Sequence, residues 1–138
     1  MYINPTLFGA VITGTNANVR YRCKPFSLSS CIYDEDGVVL VSQNRTGWWG
    51  LKFEMVTPNG RYTFGKRYFD YFLEHESGAL FRTHSSVDFY DSKMKRVTDL
   101  KLSRKSGKYW ELNILTEEHK SAFVLASVTI CKLTPSVY

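Results

Sequence analysis

Thr116-Glu-Glu-His-Lys-Ser-Ala-Phe-Val-Leu-Ala-Ser-Val-Thr-Ile-Cys-Lys-Leu133, stopped by Pro135, is the stretch on which the fold turns. Placed on a helical wheel, the run from Ser121 to Leu133 has no polar face, and its exceptions are mostly small hydroxyls. A helix lying on the outside of a sheet shows one wet side, so a helix apolar all round is buried all round. Thr116 reads as an N-cap, with Glu117 and Glu118 in the first turn facing the positive end of the helix dipole. A buried strand has the same periodicity, and Val124, Val128, Thr129 and Ile130 are β-branched. The cap, the alanines and the length, about 25 Å if coiled, favour a helix over about 117–133.

Upstream, one device recurs: a strand-like run, a polar turn, then another strand-like run. It occurs as Cys31-Ile-Tyr-Asp-Glu-Asp-Gly37-Val-Val-Leu-Val41 and as Phe53-Glu-Met-Val-Thr-Pro-Asn-Gly60-Arg-Tyr-Thr-Phe64. It returns around Gly78 and Gly107, and in a form without glycine around Lys93-Met94. Asp-Gly, Asn-Gly and Ser-Gly supply positive φ at a hairpin turn without a Cβ clash. The flanks alternate: Trp49, Leu51, Phe53 and Met55 point one way, Gly50, Lys52 and Glu54 the other. Tyr109, Glu111 and Asn113 likewise oppose Trp110, Leu112 and Ile114. Such spacing predicts an antiparallel meander over about 18–115. Closure hides its edges, so the expected fold is mainly β, a barrel of about 10–12 strands around a central C-terminal hydrophobic helix.

This pattern resembles the tubby C-terminal-like superfamily, which includes tubby proteins, phospholipid scramblases and LURP-one-related proteins. The likeness is carried by Phe26-Ser-Leu-Ser-Ser-Cys-Ile-Tyr-Asp-Glu-Asp-Gly37 and by Glu118-His-Lys-Ser-Ala-Phe-Val-Leu-Ala-Ser-Val-Thr-Ile130, and it spans about Tyr21 to Leu133. The resemblance implies a closed β-barrel threaded by the C-terminal helix. It also implies a binding protein, since tubby domains hold phosphoinositide head groups in a basic pocket. No head-group motif of the family matches position by position, so no functional residue is carried over. The anchoring helix and cysteine-rich segment of scramblases are not found in this sequence.

Composition agrees with a single domain over residues 1–138: 43% of residues are hydrophobic and 15% aromatic, which excludes disordered, collagen-like and coiled-coil chains. Cys23, Cys31 and Cys131 are an odd set without CxxC spacing, which suggests neither a disulfide framework nor a zinc site and points to a reducing interior. The N-terminus lacks a basic region before its apolar residues, and Pro5 interrupts them, so it is a poor signal peptide. Ala122 to Leu133 falls short of the roughly twenty residues a membrane span needs. The chain is expected to be cytoplasmic, at most peripheral to a membrane.

Charge is concentrated. Seven bases and one acid lie between Lys93 and Lys108, a local +6 in a chain of net +5. Lys93, Lys95 and Arg96, and Arg104, Lys105 and Lys108, fall on neighbouring hairpins. If they meet, they offer phosphate both point charges and forked donors. Lysines also simply keep turns soluble. Trp48 and Trp49, between Gly47 and Gly50, are a candidate partner contact, with at least one ring outward; one in the core and one over a neighbouring strand is the plainer reading. Asp34-Glu35-Asp36-Gly37 lacks the further ligands of a calcium loop and reads as a turn. His84 precedes Ser85 and Ser86, but adjacent strand residues face opposite ways, and His75 lies in an acidic turn, solvated. No catalytic group, metal site or cofactor is predicted, and a plugged barrel leaves no interior for a substrate. The expected function is a non-enzymatic intracellular binding protein of tubby-like type, engaging phosphoinositide head groups or an acidic protein surface through basic hairpin tips. No specific nucleic acid is expected as a partner. The alternatives are a lipocalin-like carrier of a small apolar ligand, which packs its helix outside, and a protein-interaction or structural subunit with the tryptophans at the contact.

Overall fold

Alternation sets the strands. In Lys52–Thr57, Phe53, Met55 and Thr57 are buried while Lys52, Glu54 and Val56 are exposed, the period-two pattern of a sheet with one covered face. The computed structural model describes residues 1–6, 9–13, 19–23, 29–33, 39–46, 52–102 and 110–133. The strands are β1 (Tyr2–Thr6), β2 (Gly9–Thr13), β3 (Val19–Cys23), β4 (Ser29–Tyr33), β5 (Val39–Arg45) and β6 (Lys52–Thr57). They continue as β7 (Gly60–Arg67), β8 (Asp70–His75), β9 (Leu80–Thr83), β10 (Phe89–Tyr90), β11 (Thr98–Leu102) and β12 (Trp110–Ile114), and the helix α1 (Lys120–Leu133) follows. Among the described residues the protein is mainly β, its strands antiparallel, with one C-terminal helix.

All twelve strands belong to one sheet, in the order β10-β9-β8-β7-β6-β5-β4-β3-β2-β1-β12-β11. Sequential neighbours pair except where β1 meets β12, with Tyr2 opposite Glu111 and Ile3 opposite Trp110. That ladder stops before Pro5, so the missing proline N–H costs no hydrogen bond on that side. The sheet therefore begins at Tyr2 rather than near residue 18. The ladder is not continuous all the way round: between its end strands β10 and β11 there is one isolated bridge among the described residues, from Tyr90 to Arg96, which precedes β11. Around it, Val97 N donates to Phe89 O at 2.9 Å and Phe89 N to Thr98 Oγ1 at 2.8 Å.

Two turns share one construction. Gly78 N donates to His75 O (2.9 Å) and His75 N to Ala79 O (2.8 Å), with Gly78 at φ 98°. Met94 N donates to Asp91 O (3.0 Å) and Asp91 N to Lys95 O (2.9 Å), with Met94 at φ 64°. The positive φ thus falls just after the turn's two central residues, one place later than a primed turn puts it. The expected turns at Gly37 and Gly107 lie outside the described residues.

The C-terminal segment is helical and buried: no residue from Ala122 to Cys131 is more than 8% exposed. It packs against β1, β5, β6 and β12. The Phe123 ring meets Phe81 of β9 (centroids 4.9 Å apart) and Phe89 of β10 (5.7 Å). Inward side chains from across the sheet, among them Ile3, Ile12, Met55, Phe64, Leu73 and Leu112, complete this core. The predicted cap is corrected. The helix starts at Lys120, not Glu117, and has no acid in its first turn. His119, at φ 61°, precedes it and accepts the first helical bond from Phe123 N (3.0 Å). Leu115 N is held by Val97 O at 2.9 Å, so Thr116 is still leaving the sheet where a local pattern would start the helix.

Candidate functional site

Every strand pair is antiparallel, so odd strands run one way and even strands the other. Connections therefore alternate between two ends. The links β6–β7, β8–β9, β10–β11 and β12–α1 share the end where the helix begins. The links β5–β6, β7–β8, β9–β10 and β11–β12 share the opposite end. Strand parity, not sequence proximity, decides which candidates meet.

Lys93, Lys95 and Arg96 lie between β10 and β11, exposed, at the helix-entry end. Asp91 organises this turn: its Oδ1 accepts from Lys93 N and Lys95 N, each at 2.9 Å. A carboxylate thus stands among the three bases. Arg96 is held protonated by its hydrogen bond to Tyr90 and by the charges of Asp88 and Asp99. Glu76, Glu117 and Glu118 are exposed at the same end. Arg104, Lys105 and Lys108 lie outside the described residues, in the connection that leaves the far end of β11 after Leu102. The expected meeting of the two halves of the basic run therefore lies outside the described residues. Trp48 and Trp49 also lie outside the described residues, between Thr46 and Lys52.

At the helix-entry end the structure gathers residues that are far apart in sequence. The Tyr62 hydroxyl bonds His119 Nδ1. The His75 ring lies 4.6 Å from Tyr62 and 5.0 Å from His119, centroid to centroid, and Phe81 packs 5.4 Å from His119. Burial, and then His75, hold the His119 imidazole below its usual range, with Glu118 pulling the other way. Burial pushes the Tyr62 phenol up. A neutral imidazole beside a protonated phenol makes Tyr62 O–H the donor and Nδ1 the acceptor. His75 Nε2 donates to Asn59 O at 2.8 Å, which leaves Nδ1 to accept from Ser77 Oγ at 2.7 Å. His75 is therefore not a solvated turn residue: it shares the inward face of β8 with Leu73 and Tyr71. The cluster ties the helix entrance to β7 and β8. Among the described residues no three potential ligands are grouped to hold a metal. His84 packs its ring on Tyr90 and Ser85 N donates to Asp70 Oδ1 at 2.8 Å; both residues follow β9, which ends at Thr83, rather than lying on a strand.

Sequence reasoning missed the link between β7 and β8. Tyr68 and Phe69 are 89% and 90% exposed, and no other large hydrophobic among the described residues exceeds 60%. Beside them an open cleft of about 290 Å³ on β8 is lined by Arg67, Phe72, Leu80 and Arg82. Lys66-Arg67-Tyr68-Phe69-Asp70 has no glycine, proline or asparagine to mark it as a turn. The one available signal was two aromatics directly after two bases.

Cys31 and Cys131 are free thiols, and burial pushes Cys131 well up. Among the described residues no helix is long and apolar enough to cross a membrane. No family model, no curated protein and no solved structure matches this chain.

Proposed function

We propose that the protein is a non-enzymatic binding module of tubby-like type, its sheet closed around α1 as a barrel, which binds phosphate-bearing anions at the end of the sheet opposite the helix entrance. It works at the cytoplasmic face of a membrane. One observation carries the reading: the interior is occupied by the chain's own helix, with every residue from Ala122 to Cys131 at or below 8% exposure. Binding chemistry is then left to the outer ends. The end away from the helix entrance has exposed Lys52, Lys66 and Arg67 around the β7–β8 link. The connection carrying Arg104, Lys105 and Lys108 leaves the sheet at that same end. The filled interior speaks against a lipocalin-like carrier, which needs a cavity.

The test is titration of the full chain with inositol hexakisphosphate, and cosedimentation with phosphoinositide-containing vesicles, across ionic strength. Binding that weakens steadily as salt rises is expected. Absence of both at low salt would falsify the reading. Concentration-dependent oligomers in its place would support the structural-subunit alternative.

A further inference from the structure

Tyr68 and Phe69 are the whole of the link between β7 and β8, where Arg67 pairs with Asp70. Two-residue hairpin turns favour Asn, Asp and Gly, because at least one residue takes positive φ. Here Tyr68 takes it, at φ 58°, a region that disfavours a bulky side chain. Folding buries neither ring, at 89% and 90% exposure, so the hydrophobic effect within the chain does not account for them. Their apolar area faces something outside the protein.

The surroundings say what kind of surface that is. Lys66 Nζ lies 5.6 Å from the Tyr71 ring and Arg67 Cζ 5.9 Å from the Phe72 ring, so each charge sits over an aromatic face while its residue stays exposed. Lys52, opposite Gly65, adds a third exposed base. Of the acids beside them, Asp70 accepts from Ser85 N at 2.8 Å, and Glu74 shares the cleft with Arg67 and Arg82. Two exposed aromatics thus form the hairpin tip, with Lys52, Lys66 and Arg67 exposed behind them. That order, apolar outermost and positive behind, matches the layering of an anionic bilayer from its interface outward through its phosphates.

We infer that the β7–β8 hairpin inserts Tyr68 and Phe69 into the interface of an anionic phospholipid bilayer, with Lys52, Lys66 and Arg67 against the head-group phosphates. This rests on the anion-binding reading above and adds that the phosphates belong to a bilayer. The full chain is cosedimented with vesicles of phosphatidylcholine mixed with phosphatidylserine, and titrated separately with soluble inositol hexakisphosphate. In the double variant Tyr68→Asn/Phe69→Ser, vesicle affinity should fall about tenfold or more while hexakisphosphate affinity is unchanged. Phe69→Trp should retain vesicle affinity. Both substitutions lie on an exposed link, and circular dichroism verifies that they fold. Vesicle binding unchanged in the double variant, with hexakisphosphate still bound, overturns insertion and leaves the anion reading standing. Equal loss of both ligands in the double variant also overturns it. If the wild type binds neither ligand, the anion reading falls and insertion with it.

Discussion

Met94 occupies the place that Gly78 holds in the preceding turn of the same construction, and pays for it in backbone strain. A left-handed residue with a side chain costs about 1–2 kcal/mol, while glycine also loosens the unfolded chain by about 0.5–1 kcal/mol. Met94→Gly should therefore stabilise the protein by about 0.5–1 kcal/mol, read as a higher urea midpoint at unchanged slope. His119 makes the opposite kind of statement. Its folded pKa lies below the unfolded value, through burial and the neighbouring His75, and Tyr62, Phe81 and Glu118 complete its surroundings. As pH falls through the ordinary histidine range, near 6.5, the unfolded chain takes up a proton that the folded chain resists. The contribution is thus fully present above that range and is lost as pH falls toward the folded pKa. Thermal midpoints measured from pH 7.5 down to 5.5 should decline more steeply for the wild type than for His119→Asn. Parallel curves would remove His119 from the account. Neither property was legible in the sequence: Met94 looked like any exposed turn residue, and nothing local links His119 to Tyr62 or His75.

The helix was legible because burial on every side leaves a mark that needs no partner to read, the lack of a polar face. Its start was not. Thr116-Glu117-Glu118 is a sound local cap, but the chain leaving β12 is still bonded to the sheet at Leu115, and the left-handed His119 makes the turn inward. The hydroxyls that interrupt the apolar run were the harder feature to interpret, and one has a partner. Gln43 Nε2 donates to Thr129 Oγ1 at 2.8 Å, and that hydroxyl donates to Leu125 O at 2.8 Å, all buried. Thr129→Val keeps the shape and removes the acceptor. It should cost about 1–3 kcal/mol by urea denaturation, with Thr129→Ser closer to the wild type. A neutral Thr129→Val would mean that α1 is not held to β5 through this bond. At the other end of the chain, β1 and β2 escaped notice. Five-residue strands are weak signals, and the pairing that secures β1 joins Tyr2 to Glu111, far beyond any local window.

Across the whole molecule, strand parity decides which links share an end. A meander sends successive links to alternate ends, so Lys93, Lys95 and Arg96, before β11, share the helix-entry end with the β6–β7 and β8–β9 links. At the helix-entry end Lys93, Lys95 and Arg96 stand among Asp91 and exposed glutamates. At the other end, exposed Lys66 and Arg67 directly precede the exposed Tyr68 and Phe69. Reversing Lys93, Lys95 and Arg96 to Glu should leave vesicle binding within about twofold, whereas reversing Arg104, Lys105 and Lys108 should weaken it about tenfold or more at low salt, if each base adds about 1 kcal/mol. The reverse ranking would move the anion site to the helix entrance. The sequence by itself determined the antiparallel β class, the turn positions around Gly60, Gly78 and Met94, and the buried C-terminal helix. All of these follow from periodicity and from local backbone preference, which act over a few residues. Only the tertiary structure decided which end each link occupies, which histidines meet, and that Tyr68 and Phe69 stay bare. Those depend on strand direction and on contacts between residues distant along the chain, which no local pattern encodes.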